Sequence, residues 1–520
     1  MKIVLISTDD DPWALGMRCV SAVLREAARP PRLIFMETEK ASYSPKILAE
    51  LDELVRDADI IGFSCLARGS ERAKQVIRHL RPQKKFIVWG GVHACLAPED
   101  CVDLADLVCL GEGEGFILEL VERLENGQDW HDIQNAAYRQ DGKLVKNPLR
   151  PLIANLDEVP LPDYWTDDEY HLNQNGLYKA DTSPDVADRA MIAFNGSRGC
   201  AFRCTYCCNI KLKKLYEGIG NYVRRMSPAR VLEHLQTLRQ IYPQAKYIYF
   251  IDEDFTARPT DELIELVQGI KEKVGLPYEC MGHPARITTE KMDAMVNTGL
   301  WRIRIGVETG SERTKKEIYD RHVSNEAVIR ATQIISSYPQ VTTQYFFIIA
   351  NPYEERQDLL DTIHLIADMA YGSNIWVFDL VFFPGSEIYD RAVRDGLLAG
   401  KGDSGYELDY RAGFHYKNLP WKKRNLYLNG LLYLMEGLCT RSRLGSVPRF
   451  ALPFLTRPGW ISFNDRVPVF IRGAMLFKDT WLALRHFGAR VVRKFIKDPS
   501  AVYNPLYYLK KKLGLRSAAS

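Results

Sequence analysis

The sequence predicts an α/β protein with a doubly wound N-terminal domain, a central series of strand–helix units and a mainly helical C-terminal region. In residues 1–146, short apolar runs alternate with five amphipathic helical stretches. In residues 191–395 the alternation recurs six times, and the chain then becomes basic and aromatic over residues 396–520. Residues 147–190, rich in proline and acidic residues, are predicted to link the first two domains without a core of their own.

Composition and charge restrict the class of protein. A chain of 520 residues, 46% hydrophobic and 26% charged, is typical of a soluble globular protein with more than one core. The 11 cysteines follow no disulfide-like framework and no signal peptide is evident, so we expect a reducing cytoplasm. No apolar run reaches the ~18 residues needed to span a bilayer. Residues 417–520 contain 20 Lys and Arg but 4 Asp and Glu, so the basic charge belongs to this region alone.

The N-terminal domain is predicted to be a parallel sheet with ligands at the carboxyl ends of its strands. The predicted strands are Ile3–Ser7, Leu33–Glu37, Ile60–Cys65, Phe86–Gly90 and Leu107–Leu110. Glycine-containing turns end three of them, at residues 62–65 (Gly-Phe-Ser-Cys), 90–93 (Gly-Gly-Val-His) and 111–114 (Gly-Glu-Gly-Glu). Glycine lets the backbone approach a bulky ligand closely, although it also commonly ends strands.

The central domain is predicted to contain six strands, each followed by a helix. Ser227-Pro228 is typical of the helix starts between them. The predicted strands are Met191–Phe194, Tyr247–Ile251, Tyr278–Met281, Arg302–Val307, Thr343–Ile349 and Ile375–Phe382.

Three cysteines after the first central strand have the spacing C-x3-C-x2-C. The thiolates of Cys200, Cys204 and Cys207 can bind three irons of a [4Fe–4S] cube and leave the fourth iron open. A zinc site usually needs a fourth Cys or His at regular spacing, and none follows nearby. Buried structural thiols are the other alternative. Cys208 is interpreted as a packing residue and not as a fourth ligand.

With the aromatic Tyr206 before its last cysteine, this loop resembles the signature of the radical S-adenosylmethionine (SAM) superfamily. The resemblance implies that SAM chelates the open iron and that an electron from the cluster cleaves it to a 5′-deoxyadenosyl radical. It also implies that the six strand–helix units form a (β/α)6 partial TIM barrel with its active site at the strand C-termini. Tyr206 is included among the expected SAM-binding residues.

Polar residues at two central strand ends are further candidates for SAM binding through the same resemblance. Asp252 and Glu253 follow the second strand, where the family binds the methionine ammonium, and a carboxylate suits a cation. Glu308 and Ser311 belong to Gly-Val-Glu-Thr-Gly-Ser, which looks like the G-x-E-[ST]-G-S turn that contacts SAM. For each carboxylate, a helix N-cap or a solvated loop charge is the alternative.

Placed before such a loop, the N-terminal turns resemble those of the cobalamin (B12)-binding domain of B12-dependent radical SAM proteins. The matching features are the Gly-Gly-x-His turn followed by Pro98-Glu99, and the Gly-Glu-Gly-Glu turn that opens a helix. The resemblance implies cobalamin contacts at Ser64, Gly90, Gly91, Val92, His93, Gly111, Glu112 and Gly113.

The sequence departs from corrinoid domains with D-x-H-x-x-G, whose histidine replaces the lower axial ligand of cobalt. Residues 129–134 (Asp-Trp-His-Asp-Ile-Gln) lack the glycine and follow the fifth strand, so we interpret them as surface sequence. We therefore expect cobalamin without histidine on cobalt. His93 is expected to pack beside the corrin or to order its turn, with ligation of cobalt as the alternative.

Five N-terminal cysteines raise the alternative of a second cluster, as in radical SAM methylthiotransferases. Cys19 falls within a predicted helix and Cys109 within a predicted strand, where small hydrophobic residues belong. Core packing is therefore preferred for the set, which also includes Cys65, Cys95 and Cys101.

The C-terminal region places aromatic and basic residues at helical spacing, as in residues 421–424 and 489–496. The pattern is typical of a helical cap with a solvated basic face, which is slightly favoured, or of an interfacial membrane helix. Attachment to anionic lipid would suit a lipid-like substrate. No nucleic-acid partner is expected, because no RNA-binding module is recognisable. Cys439 is the single cysteine here, so no auxiliary cluster is expected.

These features predict a cobalamin-dependent radical SAM enzyme, a methyltransferase acting on an unactivated carbon through a 5′-deoxyadenosyl radical and methylcobalamin. The alternatives are B12-dependent cyclisation or rearrangement, methylthiotransfer, and a non-catalytic iron–sulfur protein. The expected cofactors are a [4Fe–4S] cluster, SAM and cobalamin, and no side-chain acid or base is assigned. The expected partners are a flavodoxin- or ferredoxin-type reductant protein and a small-molecule or lipid-like substrate. We expect a cytoplasmic protein with peripheral contact on the inner membrane face.

Overall fold

The computed structural model describes residues 1–9, 13–38, 40–180, 190–370, 372–398, 425–438, 447–466, 471 and 474. They belong to two compact units. The first unit comprises Met1–Cys280, Asn297–Gly299 and Phe382–Glu407, and the second comprises Met281–Val296, Leu300–Val381 and Leu408–Ser520. The domain limits expected from the sequence divide the chain differently and stay a prediction.

A nine-stranded sheet forms the N-terminal part of the first unit. Its strands are β1 (Ile3–Ser7), β2 (Arg32–Phe35), β3 (Ile60–Ser64), β4 (Phe86–Gly90), β5 (Leu107–Cys109), β6 (Ala136–Gln140), β7 (Lys143–Lys146), β8 (Glu169–Asn173) and β9 (Gly176–Lys179). The order across the sheet is β7-β6-β5-β4-β3-β1-β2-β8-β9. Strands β1 to β5 pair in parallel, which confirms the predicted doubly wound domain.

Helices cover both faces of this sheet because its strands bury apolar residues on both sides. The helices are α1 (Leu15–Glu26), α2 (Pro45–Val55), α3 (Ser70–Leu80), α4 (Gly91–Leu96) and α5 (Glu114–Glu125). Val4 and Ile6 of β1 belong to one core with residues of α2 and α3, whereas Ile3 and Leu5 belong to the opposite core with residues of α1 and α5.

The predicted linker has no sheet of its own but contributes two strands to the N-terminal sheet, which was not predicted. Strand β8 pairs in parallel with β2, and β9 returns antiparallel along β8. The β6–β7 hairpin extends the other edge through β5. The sequence did not indicate β8, because its buried inward residues, Glu169 and His171, are polar.

A buried ion pair fixes β8 to the first helix. The Arg18 guanidinium donates to the Glu169 carboxylate at 2.8 and 2.9 Å, and both side chains are fully buried. His171 lies 2.8 Å from Glu169 and 2.8 Å from Glu37 through its two ring nitrogens. These contacts satisfy the charges that burial would otherwise penalise.

The remainder of the first unit contains the start of the second sheet. Strands β10 (Met191–Phe194), β13 (Tyr247–Phe250) and β14 (Tyr278–Gly282) pair in parallel in that order. Between β10 and β13, the short strands β11 (Ser197–Arg198) and β12 (Arg224–Arg225) pair antiparallel and enclose the cysteine loop. Its helices are α6 (Cys208–Leu215), α7 (Pro228–Ile241), α8 (Thr260–Gly269) and α12 (Glu387–Arg394).

The second unit continues the strand–helix series. Strands β15 (Leu300–Glu308), β16 (Thr342–Ile349) and β17 (Ile375–Asp379) pair in parallel in that order. Helices α9 (Thr289–Asn297), α10 (Asn325–Ser336) and α11 (Arg356–Asp368) lie between or before them in the chain. All six predicted central strands are therefore present, with parallel pairing within each unit.

The described part of the C-terminal region is helical, as predicted. Helices α13 (Leu426–Leu438), α14 (Val447–Leu455) and α15 (Pro458–Arg466) belong to the second unit. Residues 421–424, Cys439 and residues 489–496 lie outside the described residues. Within the described segments, no helix combines the length and the apolar character that crossing a membrane requires.

Candidate functional site

The three glycine turns of the N-terminal sheet converge on one cavity of about 370 Å³. All the residues that line the cavity belong to the first unit. Seven of the eight residues expected to contact cobalamin are among them: Ser64, Gly90, Gly91, Val92, Gly111, Glu112 and Gly113. Met17, Phe116 and Ile117 give the cavity an apolar side, and Asn195, Ser197 and Arg198 enter it from the cysteine-loop side.

Two of these glycines are required by the protein's own packing. Gly91 has a φ of +87°, and a β-carbon there would lie 2.8 Å from Ser64 Oγ. Gly111 also has a φ of +87°, and its β-carbon would overlap the Tyr216 hydroxyl. The sequence argument assigned these glycines to ligand approach, whereas at both positions protein atoms already fill the space.

His93 is the one expected cobalamin residue outside the cavity lining. Its side chain is buried, 3.6 Å from the Asp100 carboxylate and 5.9 Å from the Trp89 ring by centroid. Its backbone N–H donates to the Cys65 carbonyl at 3.1 Å. This buried position outside the cavity lining favours a packing role beside the turn after β4 over ligation of cobalt.

The structure also shows where His131 and the five N-terminal cysteines lie. His131 stacks on Trp130 and pairs with Asp129 at the exposed surface, as expected for residues 129–134. Cys65, Cys101 and Cys109 are buried, Cys95 accepts a hydrogen bond from the Gly111 N–H at 3.0 Å, and Cys19 lines the cavity. These positions support core packing over a second cluster.

Glu112 and Glu114 join the third glycine turn to the cysteine loop. Arg198 donates to Glu112 at 2.8 Å and to Glu114 at 2.6 Å. Arg224 donates to Glu112 at 3.1 Å, so the paired strands β11 and β12 both bind this carboxylate. Burial would raise the pKa of Glu112, but the hydrogen bond from Arg224 and the charge of Arg198 hold it below its usual range.

Tyr216 makes a further contact between the two parts of the site. The Glu112 N–H donates to the Tyr216 hydroxyl at 2.7 Å, and Tyr216 directly follows α6. Sequence reasoning missed Arg198, Arg224 and Tyr216. The available signal was charge complementarity between the acidic 111–114 turn and the arginine two residues before Cys200.

The cysteine loop is held in a defined turn between β11 and α6. Gly199 has a φ of +85°, and its β-carbon would overlap the Tyr222 carbonyl. The Cys207 N–H donates to the Cys204 carbonyl at 3.0 Å, and α6 begins at Cys208. The positive end of the α6 dipole therefore lies at Cys207, which suits an anionic thiolate there.

The loop fits the three-thiolate ligand set of a cube. Burial raises the pKa of Cys200 to about 11, and the nearby Cys207 and Cys204 thiols add to the rise, so the three lie within electrostatic reach. Bound iron would stabilise the thiolates. Over the described residues no three His, Cys, Asp or Glu side chains could hold a single metal ion. A [4Fe–4S] cube does not need three side chains around one metal ion, because each thiolate binds a different iron. Cys208, first in α6, borders Cys207.

Helix α12 packs against the cysteine loop and against α6. The Ile388 N–H donates to the Thr205 carbonyl at 3.0 Å, next to the half-buried Tyr206. Lys211 and Lys214 of α6 pair with Asp390 and Glu387 of α12. This support from a segment far along the chain was not predicted.

Asp252 is buried and hydrogen-bonded to the turn that precedes the cysteine loop. Its carboxylate accepts hydrogen bonds from the Gly196 N–H at 3.2 Å and the Ser197 hydroxyl at 2.5 Å. Burial raises its pKa, while the Arg258 charge and these hydrogen bonds act in the opposite direction. The arrangement favours a role in holding the turn before the cysteine loop over direct contact with SAM.

Glu253 is the acidic residue that reaches solvent beside the loop. The protein packed around it raises its pKa to about 7, and the adjacent Asp252 and Cys207 contribute to the rise. A cation such as an ammonium would favour the ionised form of this carboxyl group, so the position beside Cys207 suits a positively charged ligand. Its position supports the predicted SAM-binding role.

The Gly-Val-Glu-Thr-Gly-Ser turn lies in the second unit. Glu308 ends β15 with a φ of +74°, at a register shift between β15 and β16. Such a backbone is uncommon for a non-glycine residue and is typical of functional sites. Ser311 is buried and donates to Asp358, so its hydroxyl is committed within the protein and it is not placed to contact SAM.

Two family models match the chain in the expected order. The B12 binding domain matches residues 1–121 and the Radical SAM superfamily matches residues 194–366. The first range contains the glycine turns that line the cavity, and the second contains the cysteine loop and the Gly-Val-Glu-Thr-Gly-Ser turn.

Curated relatives include methyltransferases and a cyclase. An uncharacterized methyltransferase of Pyrococcus horikoshii is 27% identical over 74% of this chain and 79% of its own length. The cytidylyl-2-hydroxyethylphosphonate methyltransferase of Streptomyces wedmorensis is 27% identical over 62% of this chain and 64% of its own. The anaerobic magnesium-protoporphyrin IX monomethyl ester cyclase of Rubrivivax gelatinosus is 23% identical over 60% of this chain and 54% of its own length.

Solved structures share the fold. The cobalamin-dependent SAM radical enzyme OxsB, with aqua-cobalamin and SAM bound, superposes with a TM-score of 0.62 over 99% of this chain and 84% of its own, at 16% identity. The radical SAM methyltransferase TsrM of Kitasatospora setae superposes with a TM-score of 0.58 over 76% of this chain and 75% of its own, at 14% identity.

The fold and the site define a radical SAM enzyme with an N-terminal cobalamin-binding domain. The chain combines a B12 binding domain with a domain of the Radical SAM superfamily, and its cofactors are a [4Fe–4S] cluster, SAM and cobalamin. Which residues bind each cofactor is proposed from the positions of the side chains.

Proposed function

We propose that this enzyme is a cobalamin-dependent methyltransferase that acts on an unactivated carbon. The observation that carries the proposal is Arg198, which lines the cavity, pairs with Glu112 and Glu114 of the glycine turn, and stands two residues before Cys200. A corrinoid in the cavity would therefore lie directly beside a cluster on the cysteine loop. The methyltransferase names of two curated relatives support the same reaction class.

The protein's part in the reaction is to hold three groups around one cavity. When bound, cobalamin supplies a methyl carrier, and the cluster supplies the electron that cleaves SAM. Cys200, Cys204 and Cys207 hold the cluster, and the turns at Gly90–Val92 and Gly111–Gly113 support the corrin. Glu253 receives the ammonium of SAM beside Cys207, and Tyr206 on the same loop is a further contact for SAM.

Cyclisation or rearrangement without methyl transfer is the second candidate, favoured by the cyclase among the curated relatives. Both reactions need the same cofactors, so the cavity does not separate them. Their products do, because methyl transfer converts SAM to S-adenosylhomocysteine in addition to 5′-deoxyadenosine.

The test is anaerobic reconstitution with iron, sulfide, cobalamin and a reductant, followed by product analysis with methyl-deuterated SAM. A methyltransferase forms S-adenosylhomocysteine only when cobalamin is present, and forms 5′-deoxyadenosine with or without it. Deoxyadenosine alone in both samples would favour cyclisation or rearrangement. The absence of both products after reduction of a fully loaded cluster would contradict an enzyme of this class.

The reaction needs an external reductant and a small-molecule substrate. We infer a flavodoxin- or ferredoxin-type protein as the reductant and the cytoplasm as the compartment, because an oxygen-sensitive cluster requires reducing conditions. Peripheral attachment to the inner membrane face would suit a lipid-like substrate and does not depend on which reaction the enzyme catalyses.

A further inference from the structure

The C-terminal helices separate into a buried part and an exposed aromatic part. Helix α13 is a core helix: Tyr427, Leu428, Leu431, Leu432 and Met435 are buried, and Asn429 accepts a hydrogen bond from the Ala350 N–H at 2.8 Å. The apolar run at residues 426–438 therefore serves the protein's own packing.

Helices α14 and α15 present a different surface. Phe454 is 50% exposed and Phe463 is 54% exposed, whereas Leu452 and Ile461 face inward and are buried. Trp460 lies between the two phenylalanines, with ring centroids 5.1 Å from Phe454 and 6.1 Å from Phe463. We name Phe454, Arg457, Trp460 and Phe463 the aromatic patch.

The patch is basic as well as aromatic. The Arg457 guanidinium lies 5.6 Å from the Phe454 ring centroid. Asp465, the acidic residue of α15, is paired with Arg356 at 3.0 Å, so its charge is compensated. The surrounding sequence, residues 417–520, contains 20 Lys and Arg against 4 Asp and Glu. An anionic partner is therefore required for charge complementarity.

The ring geometry favours a bilayer over nucleic acid. Single-stranded nucleic acid stacks its bases on separate, open aromatic faces. Here the rings contact one another at 46° and 32°, so the faces between them are partly covered and are not open for bases to stack on. Aromatic side chains beside basic residues on short amphipathic helices are typical of a membrane interface.

We propose that the aromatic patch docks the enzyme onto an anionic membrane surface. Phe454 and Phe463 insert into the headgroup boundary, Trp460 packs against both rings with its indole N–H buried in the protein, and Arg457 pairs with lipid phosphate. Each basic residue near such a surface adds attraction that salt weakens. Docking requires neither SAM cleavage nor cobalamin, so it stands or falls separately from the proposed reaction.

The experiment is co-sedimentation of the full chain with vesicles of phosphatidylcholine alone or mixed with phosphatidylglycerol, at low and high salt. The wild type is expected to bind the anionic vesicles at low salt and to release at high salt. The double variant Phe454→Ser with Phe463→Ser is expected to lose at least about tenfold in vesicle affinity, because both insertion anchors are removed. Leu66→Ser, which alters an equally exposed apolar residue at 50% exposure, is the matched control and keeps wild-type binding.

The proposal is overturned if the wild type does not bind anionic vesicles or if the double variant binds them as well as the wild type. It is also overturned if single-stranded RNA at equal charge concentration displaces the protein from the vesicles. Thermal unfolding and 5′-deoxyadenosine formation without vesicles, measured on the same variants, show that any loss of binding is not a loss of folding.

Discussion

At the scale of single residues, the sequence was informative where chemistry fixes both residue type and spacing. Cys200, Cys204 and Cys207 could be proposed as cluster ligands because three closely spaced thiolates on one loop can bind three irons of a cube. Arg198 could not, because its partners Glu112 and Glu114 lie 86 and 84 positions earlier and meet it only in the folded chain. Ser311 looked like a ligand contact, and its burial against Asp358 follows from packing that one sequence does not reveal.

Removal of one cluster ligand tests the cysteine assignment. Cys204→Ser is expected to lose most of the bound iron and to abolish 5′-deoxyadenosine formation, since a hydroxyl replaces a thiolate. Cys208→Ser is the matched control four residues away and is expected to keep the iron and the activity. Iron and sulfide content, with electron paramagnetic resonance of the reduced cluster, are the measurements. Equal loss in both variants would contradict the assignment.

Replacement of His93 tests its structural role. Because His93 is buried outside the cavity lining, His93→Leu is expected to leave cobalamin content unchanged and the electron paramagnetic resonance spectrum of bound cob(II)alamin unaltered. A spectrum that shows splitting by a histidine nitrogen in the wild type, and loses it in the variant, would make His93 a cobalt ligand and contradict this interpretation.

At the scale of elements, periodicity predicted the strands that bury apolar residues and missed those that bury polar ones. Strand β8 was assigned to a linker because prolines and acids surround it, yet the Arg18–Glu169 pair makes it part of the sheet. The β11–β12 pair was missed because two-residue strands have no periodicity. Both elements depend on ion pairs formed across long sequence separations.

The Arg18–Glu169 pair predicts an acid-dependent stability. Burial would raise the pKa of Glu169, but the Arg18 charge and hydrogen bonds from His171 and Arg18 lower it to about 2. Since this lies below the unfolded value of about 4.3, the stabilisation is present above about pH 4 and is lost as the pH falls toward about 2. Glu169→Gln is expected to lower the unfolding free energy by about 3 kcal/mol at neutral pH.

The measurement is urea unfolding of the wild type and Glu169→Gln across this pH range. The difference between them is expected to shrink in acid. A difference that stays constant with pH would mean that ionised Glu169 is not the source of the stability.

The ion pairs between the third glycine turn and β11 predict that cobalamin affinity depends on Arg198. Arg198→Met leaves Glu112 and Glu114 without this partner and is expected to weaken cobalamin binding at least about tenfold and to lower the unfolding free energy by about 3 kcal/mol. Iron content is expected to persist, because the cysteines remain. Arg225→Met, which removes the exposed pair with Glu262, is the control and costs at most about 1 kcal/mol. Unchanged cobalamin affinity in Arg198→Met would contradict the coupling.

At the scale of the whole molecule, the fold class and the order of its parts were predictable, because hydrophobic alternation is repeated along the chain. The two compact units were not predictable, since their limits fall inside the strand–helix series. The uneven charge was visible in composition, but which basic residues accompany exposed aromatic rings depends on the packing of α14 and α15.

The contact between Gly111 and Tyr216 has an evolutionary consequence. The tyrosine hydroxyl occupies the volume that any side chain at position 111 would need, so neither position is free to change alone. Among descendants of a common ancestor, a larger residue at 111 should appear only with a much smaller one at 216, and even then the φ of +87° favours glycine. Covariation of this pair across an alignment would record the contact between the third glycine turn and the end of α6 as an inherited constraint.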